Sequence, residues 1–93
     1  MIQVNEYFDG TVKSLGYNSN EGKSSVGVID AGVYEFNTAS HEIMNVIEGE
    51  MEVLIKGDSD WKKYGAGQSF EVSTNSSFKV KVDQQTSYLC KYR

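Results

Sequence analysis

Short runs of alternating apolar and polar residues follow one another along most of this chain. Between Gly32 and Thr38, Tyr34 and Phe36 fall on one face of an extended strand and Glu35 falls on the other. Three further runs show the same period of two: Ser69–Val72, Phe78–Val82 and Tyr88–Tyr92. A period of two over four to eight residues predicts half-buried β-strands.

Clusters of glycine, asparagine, aspartate and serine separate these runs at intervals of about eight to twelve residues. The chain has nine glycines and no proline, so its turns depend on positive φ angles and on side-chain hydrogen bonds to the backbone. Regular turns between β-branched and aromatic runs are typical of a sandwich or barrel. The pattern therefore predicts an all-β protein.

The segment from Ser40 to Ile55 fits two structures. With Ser40 as an N-cap, several apolar residues fall at helical spacing: Ile43, Met44, Ile47, Met51, Leu54 and Ile55. The alternative is a hairpin that turns at Glu48–Gly49, with Met44 and Val46 on one face of its first strand. A glycine costs about 1 kcal/mol relative to alanine in mid-helix but nothing in a turn, so the hairpin is favoured.

The composition indicates which partners and which cell compartment to expect. The 93 residues predict a single domain over 1–93, with 39% hydrophobic and 24% charged residues. The net charge of −4 argues against a nucleic-acid polymer as partner. No apolar run reaches the roughly 20 residues of a membrane-spanning helix. Residues 1–10 lack a signal-peptide pattern and Cys90 is the single cysteine, so we expect a cytoplasmic protein without disulfides.

Part of the ambiguous segment resembles a known motif. The pattern Glu42-x-x-x-Val46-Ile47-x-Gly49 is similar to the first motif of the cupin barrels, and the second motif can start at Gly67. This resemblance implies a small cupin-like β-barrel of the jelly-roll type. It also implies that the metal-binding histidines of cupins would fall among residues 35–38, where the chain offers Glu, Phe, Asn and Thr but no imidazole. We therefore expect no metal.

A more specific resemblance, to one family, extends over residues 2–92. Six segments carry it: Asn5–Ser14, Ser25–Val28, Gly32–Thr38, Glu42–Val46, Trp61–Tyr64 and Ser87–Tyr92. Together they are similar to the pyrimidine/purine nucleoside phosphorylase family. The resemblance implies a homodimer that splits many purine and pyrimidine nucleosides into free base and (deoxy)ribose 1-phosphate. Inorganic phosphate would be the co-substrate, and no cofactor would be needed.

Glu42 is the preferred catalytic candidate. In the hairpin interpretation it shares a face with Met44 and Val46, and a carboxylate on an apolar face needs a partner. That partner could be the ribose hydroxyls or the positive charge that develops at the anomeric carbon. The alternative is a structural carboxylate paired with a nearby lysine or tyrosine.

Four aromatic residues are candidates for binding the nucleoside: Tyr34, Phe36, Tyr7 and Tyr88. Stacking on aromatic rings tolerates every base, because each base has a π-face. Most of the aromatic residues in so small a protein are needed as core, however, and Tyr34 is the one favoured for ligand contact.

For phosphate the candidates are Lys13, Lys91 and Ser77, which would act as point charges and as a hydroxyl donor. The alternative for both lysines is a solvated position on a strand. Cys90 is expected to be a buried, unreactive thiol. A different function also fits the sequence, because a cupin without metal ligands could be a non-catalytic module that binds a small sugar or nucleotide.

Overall fold

The computed structural model describes all 93 residues. It contains ten β-strands and one short 3-10 turn, Phe8–Gly10, joined by turns and loops. The strands are β1 (Gln3–Tyr7), β2 (Val12–Ser19), β3 (Gly22–Ile29), β4 (Gly32–Asn37), β5 (Glu42–Glu48), β6 (Glu50–Ile55), β7 (Lys62–Gly65), β8 (Ser69–Val72), β9 (Ser77–Val82) and β10 (Thr86–Tyr92). The all-β prediction is confirmed, and each run with a period of two lies in a strand.

Two antiparallel sheets face each other. One has six strands in the order β1-β2-β3-β10-β5-β8, and the other has four in the order β4-β9-β6-β7. No strand of one sheet pairs with a strand of the other, so the predicted barrel is a sandwich with open edges rather than a closed cylinder.

The segment from Glu42 to Ile55 is extended, as the hairpin interpretation required, but the predicted pairing of its two strands is wrong. β5 pairs with β10 and β8, whereas β6 pairs with β9 and β7, so the chain changes sheets at Gly49. Gly49 has a φ of 101°, and a Cβ there would lie 2.5 Å from Oγ1 of Thr86. The glycine therefore serves a crossing between sheets, in which Met44 and Met51 face the same interior from opposite sides.

Fourteen buried apolar residues form one core between the sheets. They are Val12, Ile29, Tyr34, Met44, Val46, Met51, Val53, Phe70, Val72, Phe78, Val80, Val82, Tyr88 and Cys90. Aromatic rings continue along this core, since Phe78 lies 5.5 Å from Phe36 and 5.9 Å from Phe70 between ring centroids. Most of the aromatic residues are thus packing residues.

The inner faces of β2 and β3 carry small side chains where other strands carry large ones. Ser14 pairs with Gly27, and Gly16 pairs with Ser25. Both serines are buried. Small residues on two neighbouring strands do not fill the space between the sheets, and a cavity lies there.

Candidate active site

The cavity has a volume of about 620 Å³ and lies between the two sheets. Eighteen residues line it, twelve of them apolar or aromatic. Fifteen of them come from strands β1, β2, β3, β10 and β5 of one sheet and β4, β6 and β9 of the other, and the remaining three are Phe8, Ala39 and Ser40. Volumes of about 300–1,000 Å³ and largely apolar walls are usual for small-molecule sites.

Glu42 is the first residue of β5 and lines this cavity. Burial raises the pKa of its carboxyl, and the hydrogen bond from Cys90 lowers it by less. The thiol of Cys90 donates to Oε1 of Glu42 at 3.5 Å, and no Lys, Arg or His forms an ion pair with this carboxyl. No hydrogen bond or ion pair joins Glu42 to a lysine or a tyrosine, as the structural alternative required; its side-chain partner is Cys90.

Tyr88 lies across the backbone of Gly27. A Cβ at Gly27 would be 2.6 Å from the Tyr88 hydroxyl oxygen and 2.8 Å from the carbonyl oxygen of Lys13, so the glycine is needed for space. Burial, with smaller contributions from Cys90 and Tyr7, raises the pKa of Tyr88 to about 12. Tyr88 is therefore a neutral phenol in the cavity wall.

Cys90 and Tyr92 continue this wall along β10. Burial raises the pKa of both groups, and the nearby Glu42 raises the pKa of the thiol further. The Tyr92 hydroxyl and Oγ of Ser25 are 2.9 Å apart. Cys90 is buried with its sulfur free, as predicted, and a protonated thiol is a poor nucleophile.

Three of the four predicted aromatic residues line the cavity: Tyr7, Phe36 and Tyr88. Tyr34 does not line it. Its hydroxyl donates to the Asp30 carbonyl oxygen at 2.9 Å, and its ring packs edge-on against Phe8 with the two ring centroids 5.1 Å apart. Tyr34 thus supports Phe8, which does line the cavity. Phe8 has a left-handed φ of 52°, a backbone feature that the alternation of residues does not reveal.

The structure does not bring the three predicted phosphate residues to the cavity. The exposed Lys13 pairs with Glu6 at 3.7 Å, and Lys91 pairs with Glu21 at 3.6 Å. Ser77 lies at a separate cleft of about 190 Å³. The three residues thus lie outside the cavity that Glu42 lines, and a phosphate role for any of them stays a prediction.

Lys23, which the sequence reasoning missed, lines the cavity. Its ammonium lies 5.5 Å from the centroid of the Tyr92 ring. The signal was present in the alternation, because Lys23, Ser25 and Gly27 fall on the same face of β3.

No group of three or more His, Cys, Asp or Glu side chains is placed to hold a metal ion. No helix has the length and apolar character that crossing a bilayer would require.

Comparison with solved structures shows the fold. A protein of unknown function from Vibrio parahaemolyticus superimposes with a TM-score of 0.97, is 45% identical, and the match covers 100% of this chain and 99% of that one. An RmlC-like cupin from Shewanella frigidimarina has a TM-score of 0.73 at 18% identity, with 98% and 82% of the two chains covered. The predicted cupin-like fold is confirmed, in the form of a β-sandwich.

Comparison of sequences shows the family. A protein from Marinobacter nauticus named pyrimidine/purine nucleoside phosphorylase is 52% identical over 92 residues, which cover 99% of each chain. A protein of the same name from Pseudomonas syringae pv. tomato is 50% identical over 93 residues, which cover 100% of both. The family profile described as pyrimidine/purine nucleoside phosphorylase matches residues 2–92. The chain therefore belongs to the pyrimidine/purine nucleoside phosphorylase family.

Proposed function

We propose that the cavity catalyses the phosphorolysis of purine and pyrimidine nucleosides, with broad specificity for the base and without a metal ion. The observation that carries this proposal is an apolar cavity around the unpaired carboxyl of Glu42 in a chain of this family. Inorganic phosphate is the co-substrate, and the products are the free base and (deoxy)ribose 1-phosphate. The reaction is a pentosyl transfer that needs no cofactor.

In the proposed step a phosphate oxygen forms a bond to the anomeric carbon while the C–N bond breaks. The electron pair of that bond leaves with the base nitrogen, and the proton of hydrogen phosphate balances the charge on the departing base. By analogy with glycoside hydrolysis, positive charge develops on the sugar in the transition state. The protein then has to hold three groups in line and stabilise that charge.

Glu42 has the position and surroundings for this electrostatic role. Its carboxylate stands among apolar walls, where a charge–charge interaction is stronger than in water. With no cation of the protein paired to it, the carboxylate is available to the cationic sugar. The Cys90 thiol contacts one of its oxygens and leaves the other free to accept a ribose hydroxyl.

Broad specificity follows from the nature of the wall that would contact the base. Phe8, Phe36, Tyr7 and Tyr88 supply flat surfaces, and the phenols of Tyr7 and Tyr88 are single hydroxyls rather than a fixed pattern of donors and acceptors. Stacking contributes about 1–3 kcal/mol per base and does not depend on the base edge.

We also propose a homodimer joined through the outer face of the six-stranded sheet. The register places Val4, Leu15, Val26 and Leu89 side by side across four strands, and the first three are 68%, 47% and 39% exposed. Contiguous exposed apolar surface of this kind marks an interface in soluble proteins. Sedimentation should give about twice the monomer mass of 10.4 kDa, and a monomeric wild type would contradict the dimer.

The cytoplasm is the compartment we propose for this activity. Cys90 is a buried free thiol, and the chain has no second cysteine with which an oxidising compartment could form an intrachain disulfide.

The test of the function is release of free base from adenosine and from uridine, followed by chromatography, with and without inorganic phosphate. The protein is first dialysed exhaustively against a chelator. Phosphate-dependent release from both nucleosides supports the proposal. Release without phosphate would mean hydrolysis, and binding without release would favour the non-catalytic module.

A further inference from the structure

The cavity contains one cationic side chain. Of the nine Lys and Arg residues, Lys23 alone is among the residues that line it. It faces a space whose other charged lining residues are Glu35 and Glu42. Lys23 is itself exposed, which places its ammonium at the mouth, where an ion from solvent can reach it.

The two cations nearest Lys23 share the carboxylate of Glu21, whereas Lys23 has no carboxylate partner. Glu21 lies 3.6 Å from the ammonium of Lys91 and 3.8 Å from the guanidinium of Arg93. Lys23 makes no ion pair with any carboxylate. A lysine without a counter-charge beside an apolar cavity favours an anionic ligand.

Arg93 holds the backbone that carries Lys23. Its Nη1 donates to the carbonyl oxygen of Lys23 at 2.7 Å and to that of Tyr92 at 2.8 Å, which ties the start of β3 to the end of β10. The ammonium of Lys23 then rests 5.5 Å from the centroid of the Tyr92 ring. These contacts restrict the lysine to one side of the cavity.

Glu42 stands on the other side of the same tyrosine. Tyr92 pairs with Glu42 in the register of β10 and β5, and β10 lies between β3 and β5. With strands about 4.7–4.9 Å apart, Lys23 and Glu42 project from backbones separated by about 10 Å. A cation and an anion at this separation allow an anionic reactant and a cationic sugar to lie next to each other over Tyr92.

We propose that Lys23 is the residue that binds inorganic phosphate in the phosphorolysis reaction. This inference rests on the proposed function and adds the position of the second substrate. The ammonium pairs with two anions in turn, first the free phosphate and then the phosphate group of the sugar product. It places the attacking oxygen on the side of the sugar that faces Lys23, while Glu42 faces the developing positive charge.

The experiment compares Lys23→Met with Lys23→Arg and with a matched control, Lys81→Met. Lys81 is an exposed lysine on β9 of the four-stranded sheet and does not line the cavity. The apparent KM for phosphate is measured at saturating nucleoside, and the KM for nucleoside is measured at saturating phosphate. Circular dichroism and thermal unfolding check that each variant is folded.

We expect Lys23→Met to raise the KM for phosphate about 10- to 100-fold, the range for loss of a hydrogen-bonded charge. Lys23→Arg should restore part of this loss, and Lys81→Met should behave as wild type. An unchanged phosphate KM in Lys23→Met would overturn the inference. So would a rise in Lys13→Met or Lys91→Met that is absent in Lys23→Met.

A binding measurement separates failure of this inference from failure of the proposed function. Calorimetric titration of wild type and Lys23→Met with inorganic phosphate alone requires no catalysis. Phosphate binding that is lost in Lys23→Met supports the subsite even if no nucleoside is cleaved. Equal binding by both proteins, or no binding by wild type, overturns it.

Discussion

The two ends of the sandwich interior are built from the same strands but from different side chains. At one end β2 and β10 contribute Val12 and Thr86, which pair with the same residue of β3 and are each no more than 1% exposed. At the other end β2 contributes Ser14 and β5 contributes Glu42, and the cavity lies between them. We call these the packed end and the hollow end.

The difference shows how a small protein holds a site without a second domain. Burial of the branched side chains at the packed end stabilises the fold by about 25 cal/mol per Å² of apolar surface and fixes the two sheets against each other. A change to small and polar residues a few positions along each strand then opens space without interrupting the strand pairing. The packed end stabilises the fold, and the cavity and polar groups of the hollow end lower that stability.

The largest effect should come from the core. Phe70→Ala removes a ring that lies 4.9 Å from Tyr64 and 5.9 Å from Phe78 between centroids. We expect the free energy of unfolding to fall by about 3–5 kcal/mol, as for other buried Phe-to-Ala changes. Denaturant unfolding measures this change. A loss below 1 kcal/mol would mean that the core is less tightly packed than the structure indicates.

Next is Glu42→Gln, which removes the charge of this carboxylate and keeps the shape of the side chain. We expect kcat/KM for phosphorolysis to fall about 10²- to 10³-fold, the range for loss of one preorganised electrostatic group. Steady-state kinetics with adenosine and uridine measure this. Activity equal to wild type would make Glu42 a structural residue.

A smaller effect is expected from Gly27→Ala. The added methyl group overlaps the Tyr88 hydroxyl and the Lys13 carbonyl, so it should cost about 1–3 kcal/mol of stability and displace Tyr88 from the cavity wall. The matched control is Gly16→Ala on the neighbouring strand, where the nearest atom to a Cβ is 3.6 Å away. Equal thermal stability of both variants would contradict the close approach of Tyr88 to Gly27.

The smallest effect concerns pH. Burial raises the pKa of Glu42 in the folded state, so the folded protein binds the proton more tightly than the unfolded chain does. The stability that protonated Glu42 contributes is fully present below its unfolded pKa and is lost as pH rises through its folded pKa.

Glu42→Gln should therefore melt above wild type at pH 7, and the difference should shrink as the pH approaches the unfolded carboxyl pKa of about 4.3. Calorimetric scans across this range measure it. A variant that is less stable than wild type at pH 7 would show that the ionised carboxylate is stabilised, not strained.

The sequence predicted the strands well because a period of two is a local property. Tyr34, Phe78 and Cys90 all face the interior as their alternation indicates. It did not predict that the chain changes sheets at Gly49, because a turn glycine fits a hairpin and a crossing equally, and the choice depends on pairing with β10 and β9.

The candidate site, too, could be predicted only where it depends on local sequence. Glu42 was predicted from its apolar neighbours on one strand, and it does line the cavity. Which lysines form ion pairs could not be predicted, because it depends on distant carboxylates: Glu21 lies against Lys91, and Lys23 makes no ion pair. Such a difference appears only when the strands are assembled.

The central position of β10 has a consequence for how this molecule folds. β10 pairs with β3, and the bond between Ser25 and Tyr92 joins residues 67 positions apart. Chains dominated by such distant pairings fold in milliseconds to seconds, because loop closure precedes the contacts that reward it. Since β10 also carries Tyr88, Cys90 and Tyr92, the pocket is complete only when this strand has paired, and recovery of ligand binding during refolding should coincide with formation of the full sheet.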